Sequence, residues 1–260
     1  MSNKRQLKII KVGGKIVEDP RTLKQLLTDF SEIKGNKVLV HGGGRSATAL
    51  AEQLGMETQM VNGRRITDRN MLQVVTMVYG GLVNKNIVTG LQALDVNALG
   101  LTGADLNYMR SEKRPVKDVD YGYVGDVKEV NGAMLADLIE KGITPVLAPL
   151  THDKKGNLLN TNADTIAAEA AKALAKFFDV KLVFCFEKKG VLANENDDES
   201  VIDHINQASF GKLVAEGVIS GGMIPKLENS FDALKAGVDE VVITRADLIK
   251  DENSGTKIKL

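Results

Sequence analysis

Two short β-rich runs, each halted by glycines and each followed by a helical pattern, constrain this chain more than any other feature. Leu7–Val12 runs into Gly13-Gly14, and Lys37–His41 runs into Gly42-Gly43-Gly44. Strands that hand over to helices through tight turns build a mainly parallel sheet covered by helices, an α/β fold. The alternation continues along the chain. Asp19-Pro20 opens a helix with Leu23, Leu26, Leu27, Phe30 and Ile33 on one face, and Gly35-Asn36 stops it. Asn62-Gly63 lies between β-like flanks in Glu57–Thr67, a hairpin signal. Asp68 caps a helix reaching about Leu94 that is apolar on two sides, so it needs two partners, the sheet and a second subunit. Further strands are expected at Val96–Leu101, Ile143–Pro149, Val180–Phe186, Glu240–Ile243 and Gly255–Leu260. Helices are expected from Asn131 to Lys141, from Asp164 to Phe177, and at Gln207–Glu216 and Pro225–Ala236. Residues 103–130 read as irregular β structure, a lid or rim, and His152–Leu159 as a second hairpin.

Composition narrows the function. The chain has 260 residues, enough for one large core or two closely packed halves. Lys+Arg is 34 and Asp+Glu is 34, so no basic surplus favours nucleic acid or an anionic membrane. No apolar stretch approaches the roughly 18 residues of a membrane span. The single cysteine, Cys185, sits in an apolar run and suits a reduced, cytoplasmic core.

Both glycine turns leave backbone N–H groups free of Cβ crowding at a strand end or helix start, where phosphate binds well. Neither is a P-loop. Gly42-x-Gly44-x-x-Ala47 fits a loose dinucleotide fingerprint, but it follows the second strand, and Arg64 and Arg65 occupy the zone of the ribose-binding acid. A third glycine turn, Ser220-Gly221-Gly222, leads to Pro225-Lys226. Pro225 suits the first position of a helix. Lys226 then sits at a helix N-terminus, where the macrodipole disfavours a cation unless an anion needs it. Lys11 is as unusual, a charge in the last turn of a buried strand, costly unless paired. Asp164, at the start of the Ala-rich helix, can be that partner.

Together, KIIKVGGK, VHGGG, NGRRIT, NTNAD at 160–164, GGMIPK at 221–226 and the closing GTKI resemble, in order and with matching spacing, the acetylglutamate kinase branch of the amino-acid kinase family. The resemblance covers nearly the whole chain. It implies a three-layer αβα sandwich around a mainly parallel open sheet, with an N-terminal lobe (1–177) for the amino-acid substrate and dimerisation and a C-terminal lobe (178–260) for ATP. The implied reaction is phosphorylation of the γ-carboxylate of an N-acylglutamate by ATP, in arginine biosynthesis. Lys11 and Lys226 would stabilise the transferring phosphoryl group, and Asp164 would hold both. Gly43, Gly44, Arg65 and Asn160 would bind substrate, and Gly14, Gly43 and Gly44 would supply backbone N–H donors beside the two lysines. Gly14, the turn Glu187, Lys188, Lys189, Gly190, Val191 and Leu192, and the segment Val218, Ile219 and Ser220 would hold the nucleotide, with Mg²⁺ carried by ATP and no metal site in the protein. A carboxylate nucleophile is ionised at pH 7 and needs no general base.

Some positions depart from the family pattern. Phe186-Glu187 stands where relatives usually carry Thr/Ser-Asp, which weakens the nucleotide contacts of that turn. Arg64 stands where relatives carry an apolar residue; it reads as a solvated hairpin charge or as a counter-ion for a longer acyl group such as succinyl. Arginine-inhibited hexamers in the family carry a helix before the first strand, where about six residues precede Leu7 here, so a homodimer without arginine feedback is expected. The competing readings are a glutamate 5-kinase, aspartokinase or carbamate kinase, a non-catalytic nucleotide sensor, and a dinucleotide-dependent oxidoreductase.

Overall fold

The computed structural model describes residues 4–61 and 63–260. Strand β1 (Arg5–Val12) turns at Gly13 into a short helix α1 (Gly14–Glu18), then α2 (Pro20–Glu32). Asp19 caps α2 by accepting from the N–H groups of Arg21 and Thr22, both at 2.9 Å, which satisfies donors that have no intrahelical partner. Strand β2 (Asn36–His41), helix α3 (Gly44–Gln53) and the hairpin β3 (Met60–Val61) and β4 (Arg64–Arg65) follow. Asn62 of the expected Asn-Gly turn lies outside the described residues, while the flanking strands pair Val61 with Arg64.

Helix α4 (Arg69–Val75) starts at Asp68, whose carboxylate accepts from Met71 N at 2.7 Å. It runs through π-helical turns at Thr76–Val83 into α5 (Asn84–Gln92). The expected long helix is present, with wider winding in its middle. Next come β5 (Ala98–Leu101), β6 (Met109–Lys113), β7 (Gly125–Val130), α6 (Gly132–Glu140), β8 (Thr144–Leu147), β9 (Leu150–His152), β10 (Leu158–Asn160) and α7 (Ala163–Leu174). The chain finishes with β11 (Phe178–Phe186), β12 (His204–Ile205), α8 (Gln207–Ala215), α9 (Met223–Lys235), β13 (Glu240–Arg245) and β14 (Thr256–Ile258).

Eight strands form one sheet in the order β12-β14-β13-β11-β1-β2-β8-β5, parallel at every neighbour except β13–β14. Helices cover both faces. One apolar core lies between the sheet and α6, α7 and α9, and the other between the sheet and the helices from α1 to α5. The period-two alternation of β1 decides what reaches each core. Leu7 and Ile9 enter the first, Ile10 and Val12 the second. Lys11 continues the Leu7–Ile9 row, so the strand delivers its ammonium to the face covered by α7.

Two sequence expectations are corrected, and one strand is added. Residues 103–130 contain regular strands: β6 and β7 pair antiparallel and join β9 and β10 in a second, four-stranded sheet. Strand β12 was not foreseen, since two residues after an acidic loop give no period-two signal. Helix α9 begins at Met223, so Pro225 is its third residue rather than its first. A missing N–H still costs nothing there, because first-turn donors have no intrahelical acceptor.

Candidate active site

The central strand β1 ends between β11 and β2, with Lys11 opposite Phe184 and Val40. Asn162 caps α7 by accepting from the N–H groups of Asp164, at 2.8 Å, and Thr165, at 3.2 Å. That cap fixes Asp164 in the first helical turn, facing the end of β1. The Lys11 ammonium lies 2.6 Å from Asp164 Oδ1. From the other side, Lys226 Nζ donates to Asp164 Oδ2 at 2.8 Å and stands 5.1 Å from the Phe184 ring centre. Both lysine side chains are 11% exposed and Asp164 is 19% exposed. Two ammoniums therefore share one carboxylate and leave a net positive charge in a largely dry place.

The electrostatics follow from that sharing. Burial alone would raise the Asp164 pKa, but the neighbouring Lys11 and Lys226 charges overcome it and hold the carboxyl well below the usual range. Burial lowers the Lys226 pKa, and Asp164 restores only part of it. Cys185, behind this centre, has its thiol pushed up to about 12 by burial, as an inert core cysteine should.

The glycine turns meet backbone to backbone. Gly42 N donates to Val12 O at 3.1 Å, and a Cβ on Gly42 would lie 3.2 Å from Gly14 N. Gly43 has φ +155°, and a Cβ there would lie 2.9 Å from Cδ1 of Tyr79 in the π-helical segment. Only glycine fits. Beside this turn Arg65 is buried; its guanidinium donates to Gly44 O at 2.7 Å, Thr48 Oγ1 at 2.8 Å and Thr58 Oγ1 at 3.2 Å. No described carboxylate pairs with it. Asn160 donates to Thr67 Oγ1 at 2.9 Å. Gly43, Gly44, Arg65 and Asn160 all line one cavity of about 430 Å³, together with Arg64, Tyr79 and Arg114. A buried, unpaired guanidinium beside free backbone donors is suited to a carboxylate ligand.

The expected nucleotide residues are less convergent. Gly14 adjoins the glycine-turn cleft with Phe186 and Glu187. Glu187 is engaged by Lys15 at 2.5 Å, Lys188 by Asp198 at 2.7 Å, and Lys189 by Glu199. Val191 and Ile219 are buried in the core, so only their backbone can face a ligand. Leu192 bridges to Val201, Gly190 abuts Val201 and Thr256, and the Ser220 carbonyl accepts from Met223 N at 3.2 Å. Val218, beside Ile219, is half-buried. Among the described residues no group of three or more His, Cys, Asp or Glu side chains is placed to hold a metal ion.

Comparison with known proteins places this geometry. The sequence model of the Amino acid kinase family matches residues 6–245. The chain belongs to the amino-acid kinase family. It is 71% identical over 254 residues to a protein of Bacteroides thetaiotaomicron named acetylglutamate kinase, a match covering 98% of each chain. Among solved structures, smu.665 from Streptococcus mutans shares 32% identity with a TM-score of 0.79, over 97% of this chain and 98% of that one. An N-acetylglutamate synthase from Neisseria gonorrhoeae shares the fold, with TM-score 0.83 at 21% identity, over 98% of this chain and 59% of that one.

For this amino-acid kinase, sequence reasoning brought together the residues of the charged centre and of the 430 Å³ cavity. It missed Glu18, whose Oε1 accepts from Ser46 N at 2.7 Å and so ties α1 to α3, the helices that follow the two glycine turns. It also missed Tyr79 and Arg245, the latter beside a 920 Å³ cavity it shares with Glu18, Phe186 and Glu187. No motif marks these residues, because their proximity depends on how the helices stack.

Proposed function

We propose that the chain transfers the γ-phosphoryl group of ATP to the γ-carboxylate of N-acetyl-L-glutamate, as acetylglutamate kinases do in arginine biosynthesis. The observation that carries this reading is the pair of buried ammoniums on one shared carboxylate, set beside a cavity with an unpaired buried guanidinium. The substrate carboxylate oxygen forms a bond to the γ-phosphorus while the bond to the β,γ-bridging oxygen breaks, and ADP leaves with that electron pair. No proton needs removal at pH 7. The barrier is the approach of an anion to a polyanion, so positive charge and fixed N–H donors supply the stabilisation. Lys11 and Lys226 would face the transferring group from two sides, with Asp164 fixing their spacing. Arg65 and Asn160 would hold the α-carboxylate and acyl group. Gly14 and the segments 187–192 and 218–220 would hold the nucleotide, mainly through backbone groups, and Mg²⁺ would enter with ATP. Residues 1–177 would thus serve substrate and residues 178–260 ATP, across one continuous sheet.

The test is an ADP-release assay coupled to a panel of acceptors: N-acetyl-L-glutamate, N-succinyl-L-glutamate, free glutamate, aspartate and carbamate. Turnover with the N-acylglutamates alone supports the reading; turnover with free glutamate or carbamate instead would contradict it. N-succinyl-L-glutamate is on the panel for a specific reason. Arg64 lines the same cavity and pairs with no described residue, whereas Arg114 is neutralised by Asp126 at 2.5 Å. A strong preference for the acetyl compound discards that acyl choice. The working unit would be a cytoplasmic homodimer built on α4, α5 and the π-helical turns between them, where Met77 and Leu82 stand exposed. A dimer mass by light scattering, reduced to a monomer by Leu82→Asp, is the expected result. No described helix is long and apolar enough to cross a membrane.

A further inference from the structure

His41 ends β2, is completely buried, and takes no part in the chemistry above. Its ring lies between two partners. Nδ1 is 2.7 Å from Gly42 O, and Nε2 is 3.1 Å from Asn84 Nδ2. A carbonyl can only accept, so Nδ1 carries the proton and Nε2 is the acceptor. The polar chain continues outward. Asn84, 1% exposed, also donates from Nδ2 to Val146 O at 3.0 Å. Its Oδ1 accepts from Lys85 Nζ at 3.1 Å, and Lys85 reaches Gly100 O at 3.4 Å. A Cβ at Gly100 would lie 1.8 Å from Asn84 Oδ1, so the edge strand β5 leaves space for this amide. A buried network whose members are all satisfied is rigid, and one left half-satisfied is costly.

Rigidity at this place has a chemical consequence. The C=O of Gly42 and the N–H of Gly43 belong to the same peptide, and a planar trans peptide points them in opposite directions. Holding the carbonyl inward on His41 turns the Gly43 N–H outward. Gly42, Gly43 and Gly44 line the 430 Å³ cavity, and no described residue accepts from Gly43 N. We propose that His41 and Asn84 are positioning residues for phosphoryl transfer: their relay grips the Gly42 carbonyl and thereby aims the Gly43 N–H at the transferring group. Burial also pushes the His41 pKa down to about 4, with Lys85 acting in the same direction, so the ring stays neutral and keeps its acceptor for Asn84.

The inference rests on the kinase reading, and the experiment separates the two. First, the ¹⁵N ring spectrum of the unaltered protein, which has three histidines, should show one ring held as the neutral Nδ1-protonated tautomer at pH 6–8, lost in a His41 variant. A His41 ring, identified by its loss in the His41 variant, that is Nε2-protonated or titrates like a free imidazole overturns the relay whatever the activity. Second, kcat and KM are compared for His41→Leu and His41→Asn. The Asn amide can replace Nδ1 as donor to Gly42 O, and Leu cannot. Expected are a loss of about 10²-fold in kcat for H41L with KM values little changed, and a substantially smaller loss for H41N. Equal losses in the two variants, or a fall confined to KM, would overturn the positioning role. If H41L does not fold, the ring spectrum and H41N still decide: the Nε2 tautomer, or an H41N that folds but is inactive, refutes it. An unaltered enzyme without phosphoryl transfer would remove the kinase reading and leave the ring measurement standing.

Discussion

Lysine–carboxylate pairs occur in two very different settings in this protein. At the centre, Lys11 and Lys226 converge on Asp164 from strands and helices more than 60 residues apart, with 11–19% exposure. In the loop after β11, Lys188 and Lys189 pair with Asp198 and Glu199 about ten residues on, and the exposures run from 31% to 79%. The contacts are similar in length, but water decides their worth. Exposed pairs are screened and lose side-chain entropy, so they contribute little. In the centre, removing one partner leaves charge uncompensated in a poorly solvated place. The loop pairs are complete in themselves, whereas the centre has two cations for one anion and is suited to receive another anion.

That contrast can be broken most forcefully at Asp164. Asp164→Ala leaves two ammoniums facing each other, with an expected loss of about 3–5 kcal/mol in stability by urea unfolding and about 10³-fold in kcat. A variant as stable as the parent would mean that the pair is no more consequential than the loop pairs. The pH profile sharpens the same point. Lys226 acts as its ammonium, and burial lowers its pKa below the ordinary 10.5, so kcat/KM, which reports the free enzyme, should fall on an alkaline limb with a midpoint below 10.5. Asp164, held ionised far into the acid range, should add no acid limb above about pH 4. An alkaline midpoint at or above 10.5 would show that the lysine is not desolvated. The smallest effect is expected in the loop. Lys188→Ala and Lys189→Ala should leave the melting temperature and kcat nearly unchanged, with at most a modest rise in KM for ATP.

The same contrast explains what could be read from the sequence. The parallel sheet was legible because β1, β2 and β8 are short runs rich in apolar residues with glycine or proline at or near their ends, and β11 and β13 are apolar runs between helical patterns. Lys11 and Lys226 stood out because each occupies a place where a cation is costly without a ligand. Asp164 followed from its place at the start of the Ala-rich helix, as the partner a buried Lys11 needs. The relay through His41 and Asn84 was not legible, although His41 sits in the VHGGG motif, because nothing local says which way an imidazole turns or that a helix 43 residues later will meet it. Residues 103–130 were misread as irregular for a related reason: β6 and β7 are polar, half-exposed strands whose pairing is specified by a second sheet rather than by their own pattern. The nucleotide turn was read by resemblance alone, and there the side chains of Val191 and Ile219 proved to belong to the core.

Two ammoniums acting together on one phosphoryl group are the centre of the proposed chemistry, and steady-state kinetics of Lys226→Ala with ATP and N-acetyl-L-glutamate probe that joint action. The expected result is a fall of about 10²–10³-fold in kcat with a smaller change in either KM. An unchanged kcat, with the loss confined to KM, would contradict it.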